Sequence, residues 1–211
     1  KKKMSPSIEL TYFDGAGRAE MTRVCLSIAK VEWKDTRFGF QDWPTIKPTT
    51  PLGSVPTLKV DDFQHCQSIA IARYAAKLAG LYPEDPVQAL FCDEVLDTLN
   101  ELMSKAPKSK DADELKKLRE EFQATVMTTT GTFIENIIQT NGKGKSVCDV
   151  PSVADLGVMG IVDSIASGNW DHIDPNFFDS YPGIKECYKT IKNHPGVKAY
   201  YDSKAEKKDE L

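Results

Sequence analysis

Apolar positions along the first eighty residues recur with two different periods. Residues 8–13, Ile-Glu-Leu-Thr-Tyr-Phe, form a β-branched and aromatic run that predicts a strand. A loop with Asp14, Gly15 and Gly17 follows. Met21, Val24, Cys25 and Ile28 then fall at i, i+3, i+4 and i+7, the stripe of an amphipathic helix packed on a sheet. Residues 31–38 predict a second short strand. Residues 43–56, dense in Pro, Thr and Gly, predict an irregular connection to a third strand at 57–60. Asp61-Asp62 makes a turn, and 63–66 can be its hairpin partner. Ser68 opens a helix with Ile71, Tyr74, Ala75 and Leu78 on one face.

Strand, helix, strand, link, strand, strand, helix is the order of a thioredoxin-like α/β unit, a sheet with helices on its faces. From Pro83 onward the strand signals vanish and the pattern is helical. Leu96, Leu99 and Met103 mark one long helix; Leu115, Leu118, Phe122, Phe133 and Ile137 mark a second, stopped by Asn141, Gly142 and Gly144. Ser152-Val153-Ala154-Asp155 has the form of a capping box opening a third, with Asp155 a shorter substitute for the usual Glu or Gln. Pro182 and Pro195 punctuate further helices. The chain therefore reads as a thioredoxin-like domain over 5–81, a linker over 82–86 with Pro83, Asp85 and Pro86, an all-α C-terminal domain over 87–205 and a tail over 206–211.

Composition narrows the function. No stretch approaches the roughly 18 consecutive apolar residues of a membrane span, so a membrane-spanning role is excluded. A net charge of −4 with both signs intermixed gives no basic stripe of the kind that tracks phosphates, which argues against nucleic acid as a partner. Cys25, Cys66, Cys92, Cys148 and Cys187 form no CxxC pair; they read as reduced thiols of a cytoplasmic protein, Cys25 and Cys66 as core filler. Lys1, Lys2 and Lys3 precede Met4 and read as an addition ahead of the fold. Lys208-Asp209-Glu210-Leu211 spells an endoplasmic-reticulum retention signal, an address that acts only on a protein already in the lumen. No leader is read at the amino end, so a charged, solvated tail fits the same residues, with the lumen as the alternative.

The segment Tyr12-Phe13-Asp14-Gly15-Ala16-Gly17-Arg18-Ala19-Glu20 places a tyrosine at a strand end and an arginine at a helix start. It resembles the opening of glutathione transferases. Asp42-Trp43-Pro44 with Ile46-Lys47-Pro48 is similar to the sigma class in particular. Gly53-Ser54-Val55-Pro56 resembles the family's cis-proline turn, Gln67-Ser68 with Ile69 to Tyr74 its glutathione-holding helix, and the Ser152 to Asp155 box that of its helical domain. The resemblance implies the glutathione transferase fold, glutathione as co-substrate with no permanently bound cofactor and no metal, small electrophiles as second substrates, and a homodimer.

It also implies roles. An unperturbed tyrosine stays protonated at neutral pH, so Tyr12 can donate a hydrogen bond to a thiolate but hardly remove a proton. A bond to a charged group is worth about 1.5 to 3 kcal/mol, enough to lower a thiol from about 8.5 to near 7. Arg18 would support the thiolate electrostatically. Gln67 and Ser68 precede free helical amides that bind carboxylates, and would hold the γ-glutamyl end; Ser68 as a plain N-cap is a compatible reading. Val55 and Pro56 would face the cysteinyl part, with the Val55 backbone pairing as an added strand does. Trp43 and Lys47 would hold the glycyl end, although half-buried packing is the commoner role of a tryptophan.

Asp93, Asp97 and Glu101 share a helix face with Asn100 nearby. In related dimers an acidic residue at the position of Glu101 reaches the glutathione amine of the partner subunit; an acidic surface face is the other reading. The resemblance places the second-substrate pocket between Phe13, Gly15 and Ala16, the helix end from Met103 to Lys108, and Tyr200 with Tyr201. Relatives with prostaglandin isomerase activity have aspartates in place of Asn100 and Glu101, a lysine in place of Ser54 and an aromatic wall in place of Lys108. These departures weigh against prostaglandin synthesis and leave conjugation as the expected reaction. A lipid isomerase or peroxidase, and a non-catalytic crystallin-like relative, are the alternatives. Asp14 to Gly17 stand where a thioredoxin carries its active-site cysteine, which excludes that chemistry.

Overall fold

The computed structural model describes residues 6–209, and the side chains of 6–205. Lys1, Lys2 and Lys3, and Glu210 and Leu211 of the terminal tetrapeptide, lie outside these residues, as do the side chains of Lys208 and Asp209. The chain divides between Leu81 and Tyr82 into two compact units.

In the first unit β1 (Ile8–Phe13) leads through a single 3-10 turn (Gly17–Ala19) into α1 (Glu20–Ala29), and β2 is Lys34–Phe38. The expected strand over 31–38 thus loses its first three residues. Lys30 caps α1 in the left-handed region at φ 53°, and the chain needs the intervening residues to turn back. The buried face of α1 runs through Thr22, Arg23, Val24, Cys25 and Leu26, whereas Met21 and Ile28 are half-buried. The apolar stripe read from the sequence is therefore rotated toward Arg23, a fully buried arginine.

Residues 43–56 are more regular than expected. A 3-10 turn (Phe40–Asp42), α2 (Trp43–Ile46) and another 3-10 turn (Lys47–Thr49) follow one another, because Pro44 and Pro48 sit at first-turn positions where a missing N–H costs nothing. β3 (Thr57–Val60) and β4 (Phe63–His65) form the hairpin, and α3 (Ser68–Ala79) closes the unit. Ile71, Ala72, Ala75 and Ala76 face its core; Leu78 points outward, 41% exposed, one step off that stripe. Cys66, just past β4, is half-buried and not core filler, while Cys25 is buried.

The sheet has the strand order β2-β1-β3-β4, with β1 and β2 parallel and both other pairs antiparallel. Its register positions the site. Thr11 pairs with Thr57, and Leu58 with His65. Tyr12 follows Thr11 on β1, Pro56 precedes Thr57 on β3, and Gln67 lies two residues past the end of β4. One end of the sheet thus gathers residues from positions 12, 56 and 67, and it is the end where β2 delivers Phe38 beside Phe13.

The second unit is helical: α4 (Pro86–Lys105), α5 (Ala112–Phe122), α6 (Thr128–Thr140), α7 (Val153–Ala166), α8 (Pro182–Lys192) and α9 (Pro195–Asp209). Asp85 caps α4 by accepting from the Val87 and Gln88 amides. The α4 core face is Val95, Leu96, Leu99 and Leu102, and Met103 lies 40% exposed beside it. α5 and α6 are joined by a π turn over Gln123–Met127 rather than by a break. The wider turn adds a residue to the helical repeat, so the buried positions run Phe122, Met127, Ile134 and Ile138. Phe133, expected on the core face, is only half-buried for that reason.

The capping box at α7 is the polar centre of this unit. Asp155 is 1% exposed. Its Oδ2 accepts from the Ser152 amide at 2.6 Å and the Ser146 hydroxyl at 2.7 Å, and its Oδ1 from the Val147 amide at 2.7 Å and the Cys187 thiol at 3.1 Å. Burial pushes the carboxyl above its ordinary range while the donors pull the other way. The folded chain thus binds this proton more tightly than the unfolded chain does. Stability from this group is complete below the unfolded value and declines as pH rises through the folded one.

In Asp155→Asn one oxygen becomes an NH₂ that meets donors, so urea unfolding at neutral pH is expected to show a loss of about 2 to 3 kcal/mol. Its acid-side slope is expected to flatten, and an unchanged unfolding midpoint would show the box to be dispensable.

Candidate active site

Tyr12 is the penultimate residue of β1, and its half-buried ring stands over the turn that follows. The turn is pinned by the Asp14 amide bonding Phe38 O at 2.9 Å and the Gly15 amide bonding Phe13 O at 2.8 Å. Gly17, at φ +43°, passes directly under the phenol: a Cβ there would lie 2.6 Å from Tyr12 Oη and 3.0 Å from its Cε1. A side chain there would have to displace the phenol and adopt a strained left-handed backbone. The close approach lets the next amide, that of Arg18, donate to Tyr12 Oη at 3.2 Å. With an oxygen lone pair occupied by that amide, the phenol keeps its own O–H for another acceptor. Sequence reading treated Gly17 as a loop former; its role depends on a contact that spacing alone does not reveal.

Phe13, on the opposite face of β1 from Tyr12, joins an aromatic cluster. Its ring lies 4.7 Å from Phe38, 4.7 Å from Phe40 and 5.5 Å from Trp43, and Trp43 stacks on Phe38 at 6.0 Å with 12° between the planes. Phe40 is the outermost member, 80% exposed. Trp43 is half-buried in this cluster. Gly15 is an exposed loop residue with open space around it.

Lys47 O holds the following turn through the Thr50 amide at 3.2 Å and the Thr50 hydroxyl at 2.8 Å. Its aliphatic stem lies over Gly53, which has φ +60°, while the side chain remains exposed. Val55–Pro56 is a cis peptide, with Pro56 buried at the start of β3.

Gln67 opens α3 from φ 74°, ψ 103°, a conformation that costs a non-glycine residue about 1 to 3 kcal/mol and concentrates at functional sites. It is the N-cap, so Ser68 is the first helical residue and not the cap itself. The Gln67 side chain makes no cap hydrogen bond at this terminus, and uncapped helical amides favour anionic groups.

The remaining candidates belong to the second unit. Glu101 is exposed on α4 and ion-paired to Lys105 at 2.5 Å. Both line a cavity of about 300 Å³ between α4 and the π turn, together with Thr98 and Thr125. Met103 and Lys108 are exposed, and Tyr200 meets Tyr201 edge to face at 5.1 Å with the Lys204 ammonium 5.4 Å from its ring.

Comparison with known proteins accords with this arrangement. Residues 8–77 match the glutathione S-transferase N-terminal domain and residues 96–204 the C-terminal domain. A glutathione S-transferase of Anopheles gambiae is 30% identical over 199 residues, covering 92% of this chain and 95% of that one. Hematopoietic prostaglandin D synthase of Gallus gallus is 43% identical over 102 residues, which is 48% of this chain and 51% of that protein. Among solved structures, that of prostaglandin synthase D of Nilaparvata lugens superposes with a TM-score of 0.82 at 34% identity, covering 93% of this chain and 98% of that one. Both halves of the molecule thus lead to one place: the chain belongs to the glutathione S-transferase family.

Proposed function

We propose that the chain is a sigma-class transferase that conjugates the glutathione thiolate to small electrophiles, with Tyr12 as hydrogen-bond donor to the sulfur. The observation that carries this reading is the amide of Arg18 on Tyr12 Oη at 3.2 Å, which leaves the phenolic proton to be donated outward. The thiol releases its proton to solvent, the sulfur attacks the electrophilic carbon, and the leaving group departs with the electron pair of the bond that breaks. The phenol lowers the cost of carrying negative sulfur before the attack. Arg18 adds positive charge at the same turn. The uncapped α3 terminus at Gln67 and Ser68 takes the γ-glutamyl carboxylate, Val55 and Pro56 the cysteinyl part, and Trp43 and Lys47 the glycyl end.

The active form in this reading is a cytoplasmic homodimer in which Glu101 serves the partner's glutathione. Exposed apolar side chains such as Phe63 and Leu90, 74% and 65% accessible, support a covered surface. A second reading, glutathione-dependent prostaglandin isomerisation, is favoured by the two relatives that are named as prostaglandin D synthases. Asn100, Ser54 and Lys108 weigh against it. Product analysis with a prostaglandin endoperoxide and with chlorodinitrobenzene separates the two.

Tyr12→Phe is expected to lower kcat/KM for chlorodinitrobenzene about 10- to 100-fold and to return the bound thiol to a pKa of about 8.5. Equal activity in wild type and variant would refute the assigned role. Gly17→Ala, which must displace the phenol, is expected to cost turnover about 100-fold while binding to immobilised glutathione persists. Wild-type turnover in that variant would show that the tyrosine position does not matter.

A further inference from the structure

The β1–α1 turn carries a second device, one charged and wholly buried. Arg23 projects from α1 with its side chain 0% accessible. Its Nη1 donates to Gly15 O at 2.5 Å, its Nη2 to Phe13 O at 3.4 Å and its Nε to Asp35 Oδ1 at 3.1 Å. The guanidinium carbon also lies 5.8 Å from the centre of the Tyr12 ring. Glu20, at 3.8 Å, is the other acid beside it. Asp35 is shared with Arg37 at 2.8 Å, and Arg37 reaches Asp14 at 3.2 Å, so a chain of alternating charges encloses the turn.

A guanidinium is a rigid planar fork, whereas an ammonium is a point donor on a flexible stem. Here the fork spans two carbonyls, one immediately after Tyr12 and one two residues before Gly17. The separation of those carbonyls sets the path of the backbone from the strand to the amide that meets the phenol. We propose that Arg23 is a positioning residue for the Tyr12 hydroxyl, acting through the Phe13 and Gly15 carbonyls with Asp35 as its anchor. The inference rests on the reading of Tyr12 as the thiolate donor. Arg23 touches no substrate in it, and its whole effect passes through where the phenol stands.

A double-mutant cycle tests this. Arg23→Lys is expected to lower kcat about 10- to 100-fold, with KM for glutathione held within about threefold. In a Tyr12→Phe background the same change is expected to cost less than about twofold, because the group it positions is gone. Equal losses in both backgrounds would make Arg23 a general support of the fold and overturn the proposal, as would no loss in the first. Wild-type turnover in Tyr12→Phe alone overturns the Tyr12 reading, and this inference with it. A loss there beside full activity in Arg23→Lys overturns the Arg23 assignment alone. If Arg23→Lys does not fold, Asp35→Asn, which keeps an acceptor and removes the anchoring charge, is carried through the same cycle with a smaller loss and the same dependence on Tyr12.

Discussion

A backbone amide reaches the oxygen of Tyr12 because the residue before it has no side chain. That constraint, a bare Gly17 at positive φ under an aromatic ring, brings one hydroxyl within hydrogen-bond distance of the main chain. Much else in the first unit supports it. The β1–β3 register brings the buried Pro56 alongside, β4 brings the strained Gln67, and the parallel pairing of β1 with β2 supplies Phe38, whose carbonyl holds the Asp14 amide. The sheet is short, but β1, β2 and β4 end, and β3 begins, at the same end of it.

The second unit solves a different problem. Its helices are long and their apolar faces ordinary, yet a carboxylate is buried at its centre. Asp155 is tolerable there because donors from the segment ahead of α7 and from α8 converge on it. The same bonds, with the buried Val147 and Cys148, tether residues 146–152 to the core.

Much of this was legible in the sequence where the physics is local. β1 announces itself by β-branched and aromatic residues, the α7 start by Ser152 and Asp155, the end of α6 by Asn141 and its glycines. Candidate residues at 12, 18, 55, 56, 67 and 68 could be named from the resemblance, but not placed: where β1 ends relative to the start of β3 is a property of strand register, which no single segment encodes. Arg23 was invisible because a charged residue within an amphipathic helix reads as solvated, and its burial depends on Asp35 and on the carbonyls at the strand end, which only the fold brings together. Ser68 and Gln67 exchanged places at the helix start because the strained φ of Gln67 is set by the approach from β4. Met103 and Leu102 did the same on α4, where one residue's rotation separates core from solvent.

The π turn between α5 and α6 bears on how this chain is compared with its kin. It holds a residue beyond the count that an uninterrupted α-helix would need, and the phase of the buried positions differs by that residue on its two sides. An ungapped alignment carried through 123–127 against a homologue with a straight helix would set surface positions of one against interior positions of the other. Covariation or ancestral inference drawn from such columns would then mix two physical environments, and the gap belongs inside the helix rather than in the loops at its ends.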